Sequence, residues 1–164
     1  MYINIDDIKN NGNSSVINFE DEIEFDGQLY PIQAKLYFEI YDNIMEIKGD
    51  VAGTIKLACN RCLKETDYSF SYEIDEFYAL NSLLDKYPEE YEIKEGNFVN
   101  DLNGKKDFDI NQFLYEIITI NLPNNYVCDI NCIEDNENIK KYFKTSNEDP
   151  RMAIFKEIIV KEKE

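Results

Sequence analysis

From Ile17 to Tyr78 the chain alternates apolar and polar residues with a period of two, and this alternation, more than any other feature, restricts the fold. Ile17, Phe19, Ile23 and Phe25 fall on one face, with Asn18, Glu20, Glu22 and Glu24 on the other. Successive side chains of a strand point to opposite sides, so this pattern predicts a half-buried β-strand. Asp26-Gly27 is a two-residue turn signal. Beyond it, Tyr30, Ile32, Ala34, Leu36, Phe38 and Ile40 form the apolar face of a second strand. After Asp42-Asn43 the face continues through Met45, Ile47, Val51, Ile55, Leu57 and Cys59. Gly49 and Gly53 share that face and predict a bulge or bend. A fourth run carries Tyr68, Phe70, Tyr72 and Ile74. Four long strands with short turns predict an antiparallel meander, which must curl into a partly closed barrel or receive a helix to bury its apolar side.

Residues 79–107 lose the alternation and predict an acidic connection with at most one short strand around Tyr91–Ile93. Asp109-Ile-Asn-Gln112 then matches a helix-capping pattern, with Ile110, Phe113, Leu114, Ile117 and Ile118 at helical spacing and a stop before Pro123. Asp149-Pro150 predicts a second helix start, followed by a stripe of Met152, Phe155, Ile158 and Ile159. The expected fold class is α+β: a β-rich part over 1–78, the connection at 79–107, and C-terminal helices over 108–164 that cover the sheet. Its 164 residues fit a single domain.

The 22 Tyr and Phe residues provide a large apolar area, which argues for a folded chain. Net charge is −17, and so acidic a surface repels a phosphate backbone. Residues 140–164 differ, holding seven Lys/Arg and five acids for +2, so any nucleic-acid contact favours that end. A solvated helix face is the ordinary reading of such mixed charge. Phe70, Tyr72 and Tyr30 share the face of the Ile and Leu residues and are expected to pack in the core. Tyr37, Tyr41 and Phe77 point outward and are the better candidates for a partner surface. No basic and apolar leader opens the chain, and no stretch approaches the roughly 20 apolar residues of a membrane span, so a cytosolic protein is expected.

Four cysteines are the chemically informative residues, because histidine is absent and with it the commonest general base. Cys59-Asn-Arg-Cys62 lies where the third strand turns into the fourth, and Cys128-Asp-Ile-Asn-Cys132 follows the first helix. In a reducing compartment two short-spaced pairs are natural ligands for one zinc, since two thiolates on one tight turn can fill two corners of a tetrahedron. A closed four-thiolate site leaves no position for water, so its role would be structural. Unmodified thiols near the core, and redox or disulfide chemistry at Cys59 and Cys62, are the competing readings. The redox reading lacks the helix N-terminus that lowers a reactive thiol's pKa. A separate hydrolase or nuclease reading would rest on Asp75, Glu76, Asp107 and Asp109 holding a divalent cation. Acidic residues are abundant here, and Asp109 has a capping role.

Three segments resemble the YceD-like family of large ribosomal RNA subunit accumulation proteins. Gly49-Asp-Val51-Ala-Gly53-Thr leads through Leu57-Ala-Cys59-Asn-Arg-Cys62-Leu63, like the family's glycine-spaced strand and Cys-x-Arg-Cys. Asp109-Ile110 through Asn121-Leu122-Pro123 to Cys128 is similar to its acidic helix ending in Leu-Pro. Asp149-Pro150-Arg151-Met152-Ala153 looks like its closing helix. After Cys132 the chain departs, with Ile133-Glu-Asp-Asn-Glu137 where many relatives carry further cysteines. The resemblance implies a role in accumulation of large-subunit ribosomal RNA and no established reaction. A binding or assembly factor is therefore expected rather than an enzyme. Its acidic balance favours docking to basic ribosomal proteins over broad RNA contact.

Overall fold

The computed structural model describes residues 1–81 and 100–132, and the chain divides into two compact units. The first comprises Met1–Leu57 and Asp67–Asn124; the second comprises Ala58–Thr66 and Asn125–Glu164, described as far as residue 132.

The alternating stretch forms four strands, β2 (Ser14–Phe25), β3 (Gln28–Tyr41), β4 (Ile44–Ala58) and β5 (Glu65–Ala79). Asp26 and Gly27 both have positive φ, 49° and 77°, the conformation that lets a two-residue turn follow the strands' right-handed twist. Phe25 thus pairs with Gln28, and the β2–β3 ladder runs without interruption to Ser14 and Glu39. Asp42 likewise takes a positive φ of 51° between Tyr41 and Ile44, which close the β3–β4 ladder.

That second ladder is regular from Tyr41–Ile44 to Ile32–Gly53, so the bulge expected at the glycines is not formed there. The glycines instead admit close neighbours. A Cβ on Gly49 would run into the Lys35 carbonyl oxygen, and one on Gly53 would meet Ile32 Cδ1 and the Phe70 ring. The β3–β4 ladder ends one residue short of Pro31, which has no N–H to donate.

The strand order is β2-β3-β4-β5-β6, where β6 (Asn100–Asp101) runs parallel to Tyr78–Ala79 of β5. Among the described residues the sheet is open, with β2 and β6 at its edges, so the partly closed barrel is not what they form. Its apolar face is covered instead. Helix α2 (Ile110–Asn121) buries Ile110, Phe113, Leu114, Ile117 and Ile118 in one cluster with Phe19, Leu36, Phe38, Met45, Ile47 and Ile55. Each such side chain contributes on the order of 2 kcal/mol by leaving water. Asp109 caps α2 by accepting from the Asn111 and Gln112 amides. The Gln112 side chain turns to Glu116 instead of back to the cap, so only half of the capping pattern is used.

The first ten residues hold two elements that the alternation did not announce. β1 (Tyr2–Asn4) runs straight into α1 (Ile5–Asn10), as β7 (Asp107–Asp109) runs into α2. The two short strands pair antiparallel. The first amide of each helix is then met by the opposite strand segment, Ile5 N by Lys106 O and Ile110 N by Met1 O. Asn4 caps α1 and donates to Asp107 as well. The strand expected near Tyr91–Ile93 and the helix expected from Asp149 lie outside the described residues. No helix among the described residues is long and apolar enough to cross a membrane.

Candidate metal centre

At the end of β4 the chain makes a tight turn in which Cys59 N donates to Lys64 O and Leu63 N donates to Cys59 O, at 3.0 and 2.9 Å. Leu63 takes a positive φ of 59° to close it. The turn directs the amides of Arg61 and Cys62 at Cys59 Sγ, at 3.4 and 3.5 Å. The Cys128 amide reaches the same sulfur at 3.5 Å.

The second pair has its own turn, in which Asp129 accepts from the Asn131 amide through its carboxylate and from the Cys132 amide through its carbonyl. Side chains and backbone then tie the two segments together. Asn60 N donates to Tyr126 O at 2.8 Å, and Thr66 Oγ1 and the Tyr126 hydroxyl lie 2.9 Å apart. Arg61 Nη1 donates to Ile130 O at 2.7 Å, so this arginine fastens the opposite turn. Nothing in the spacing of Asn60, Thr66 or Tyr126 marks them as supports, since each acts only after the two segments meet.

All four sulfurs lie within 4.8 Å of one another. Cys59 Sγ is 3.8 Å from Cys132 Sγ, and Cys62 Sγ is 3.6 Å from Cys128 Sγ. A disulfide needs about 2.05 Å, and all four thiols are free. A tetrahedron of metal–sulfur bonds of about 2.3 Å has edges of about 3.8 Å, so the donor set fits one soft or borderline divalent ion. Cys59, Cys62 and Cys132 are buried and Cys128 is half-buried.

The thiols are electrostatically unequal. Burial opposes ionisation of Cys59, but the amides of Cys128, Cys62 and Arg61 stabilise its thiolate and bring it down to about 6. Burial, reinforced by hydrogen bonds with Cys62 and Cys59, pushes Cys128 up to about 12, and Cys132 is raised for the same reasons of burial and neighbouring thiols. One sulfur is thus prepared as an anion among three others.

The acids considered for hydrolysis do not form a comparable group; among the described residues the cysteines are the one set of three or more candidate ligands brought together. Asp75 and Glu76 are adjacent on β5 and so point to opposite faces, with Glu76 accepting from Asn100. Asp107 accepts from Asn4, and Asp109 caps α2. Tyr37, Tyr41 and Phe77 are exposed as expected, while Phe70 is buried and Tyr30 and Tyr72 are half-buried against the core.

Residues 47–158, a span that includes all four cysteines, match the family described as large ribosomal RNA subunit accumulation protein YceD. No curated protein and no solved structure matches the chain.

Proposed function

The chain belongs to the YceD family of large ribosomal RNA subunit accumulation proteins, and from that premise we propose that it supports accumulation of large-subunit ribosomal RNA by binding, as an assembly factor and not as an enzyme. The observation that carries this reading is the family match over residues 47–158. Its net charge of −17 favours contact through basic ribosomal proteins over broad contact with RNA phosphates, and the role belongs to the cytosol.

Within that role the four cysteines hold one structural zinc. Support comes from the all-thiol donor set, its burial, and sulfur separations of 3.6 and 3.8 Å. Zinc would join the Cys59 turn to the Cys128 segment as a closed staple, and the chemistry it supplies there is coordination alone.

Two measurements test the two levels. Elemental analysis of protein purified without a metal-affinity step is expected to find about one zinc per chain, lost when Cys59 and Cys128 are both changed to serine. Depletion of the protein is expected to lower large-subunit RNA, with the protein sedimenting alongside large-subunit precursors. Normal RNA levels together with no association would sink the functional reading whatever the zinc content.

A further inference from the structure

We propose that the outer edge of β2 binds an extended basic peptide by strand addition. The inference rests on the reading above and deepens it, since it says how a basic protein partner is held. β2 stands at the end of the strand order, is 12 residues long, and among the described residues has no strand on its outer side. Such an edge presents a row of backbone donors and acceptors ready to pair with another chain.

The turn decides which groups face outward. In a hairpin closed by Phe25 and Gln28 across two turn residues, the closing pair exchanges both bonds, and the exchange recurs at every second residue. Odd-numbered residues of β2 therefore bond to β3, and even-numbered ones point away. Two observed bonds agree with this parity. Ile40 N donates to Asn13 O, continuing the odd series beyond the strand, and Glu22 N is left to the Asp21 carboxylate. The outward run is then Ser14, Val16, Asn18 and Glu20.

Charge selects the occupant. Glu20, Asp21, Glu22 and Glu24 are exposed, and no lysine or arginine lies anywhere in β2. A second copy of this strand would set four further carboxylates beside these, which like-charge repulsion disfavours. A wholly apolar strand would bring no counter-charge to the exposed Glu20, Glu22 and Glu24. A strand of alternating cationic and small apolar residues avoids both costs. It sets its cations beside Asn18, Glu20 and Glu22 and its apolar residues beside Ile17 and Phe19.

The test uses the full chain and two labelled peptides of equal charge, one alternating lysine and valine, the other lysine and proline, with binding read by fluorescence anisotropy at physiological salt. Strand addition requires backbone N–H groups, so the valine peptide is expected to bind at least about tenfold more tightly. Equal binding of the two would reduce the effect to charge and overturn the proposal. Asn18→Pro removes an outward N–H and is expected to abolish the preference; retention of the preference in a folded variant overturns it. Should that variant not fold, amide exchange in the unaltered chain decides. Slowing at Val16, Asn18 and Glu20 by the valine peptide alone supports the edge, and unchanged exchange rejects it. Absence of peptide binding, whether because copies self-associate or because residues 133–164 occupy the edge, also rejects it. The two failures are distinguishable: a folded Asn18→Pro chain that restores ribosomal RNA in depleted cells would sink the edge and leave the family role standing.

Discussion

The sheet unit and the cysteine unit are held together by different physics. In the first, alternate residues of four strands and one stripe of α2 bury a continuous apolar cluster, with Leu36, Phe38, Met45 and Ile47 fully enclosed. In the described part of the second, the buried side chains are Cys59, Cys62 and Cys132, while Leu63 and Ile130 stand 74% and 83% exposed. Its aliphatic residues face water and its thiols face inward. Among the described residues of this unit no aliphatic side chain is buried, so apolar burial there does not offset the entropy of ordering, and a metal is a natural organiser for it.

The contrast can be broken most forcefully by removing the zinc proposed for the four cysteines. Structural zinc binding is worth on the order of 10 kcal/mol. Chelation is therefore expected to raise amide exchange by orders of magnitude across 58–66 and 125–132 while leaving Phe38 and Ile47 protected. Uniform loss of protection would mean that the sheet also depends on the metal. The reverse experiment is Phe38→Ala, which should destabilise the sheet unit by about 3–5 kcal/mol in denaturant unfolding yet leave about one zinc per chain in folded protein. Asp109→Ala removes the α2 cap and should cost about 1 kcal/mol in the same assay, again without loss of zinc. The smallest effect is a gain. Leu63 holds a left-handed φ that suits glycine, so Leu63→Gly should relieve about 1 kcal/mol of strain, offset in part by unfolded-state entropy. A severalfold rise in zinc affinity, measured by competition with a chelator, would show it; a weaker affinity would mean that the leucine side chain contributes packing that its exposure conceals.

Much of this was legible along the chain. The faces of β2 through β5, the Asp26-Gly27 turn, the Asp109 cap and the halt of α2 before Pro123 follow from neighbours a few residues apart. β1, α1 and β7 were not legible, because each is only three to six residues long and gains its partner from a segment about a hundred residues away. Glycines at 49 and 53 left a choice open for a related reason. Glycine in a strand signals either a bulge or a close approach, and only the neighbouring Lys35 carbonyl and Phe70 ring distinguish the two.

The sequence by itself determined the local grammar of the protein: which residues alternate, where the chain turns, and that its thiols come in two short-spaced pairs. Only the tertiary structure decided that Cys59 and Cys62 meet Cys128 and Cys132 across 65 intervening residues, and that the meander stays open with β2 at its edge. Periodicity and turn chemistry are carried by adjacent residues. Contacts between distant segments depend on the path of everything folded between them, and no local pattern encodes that path.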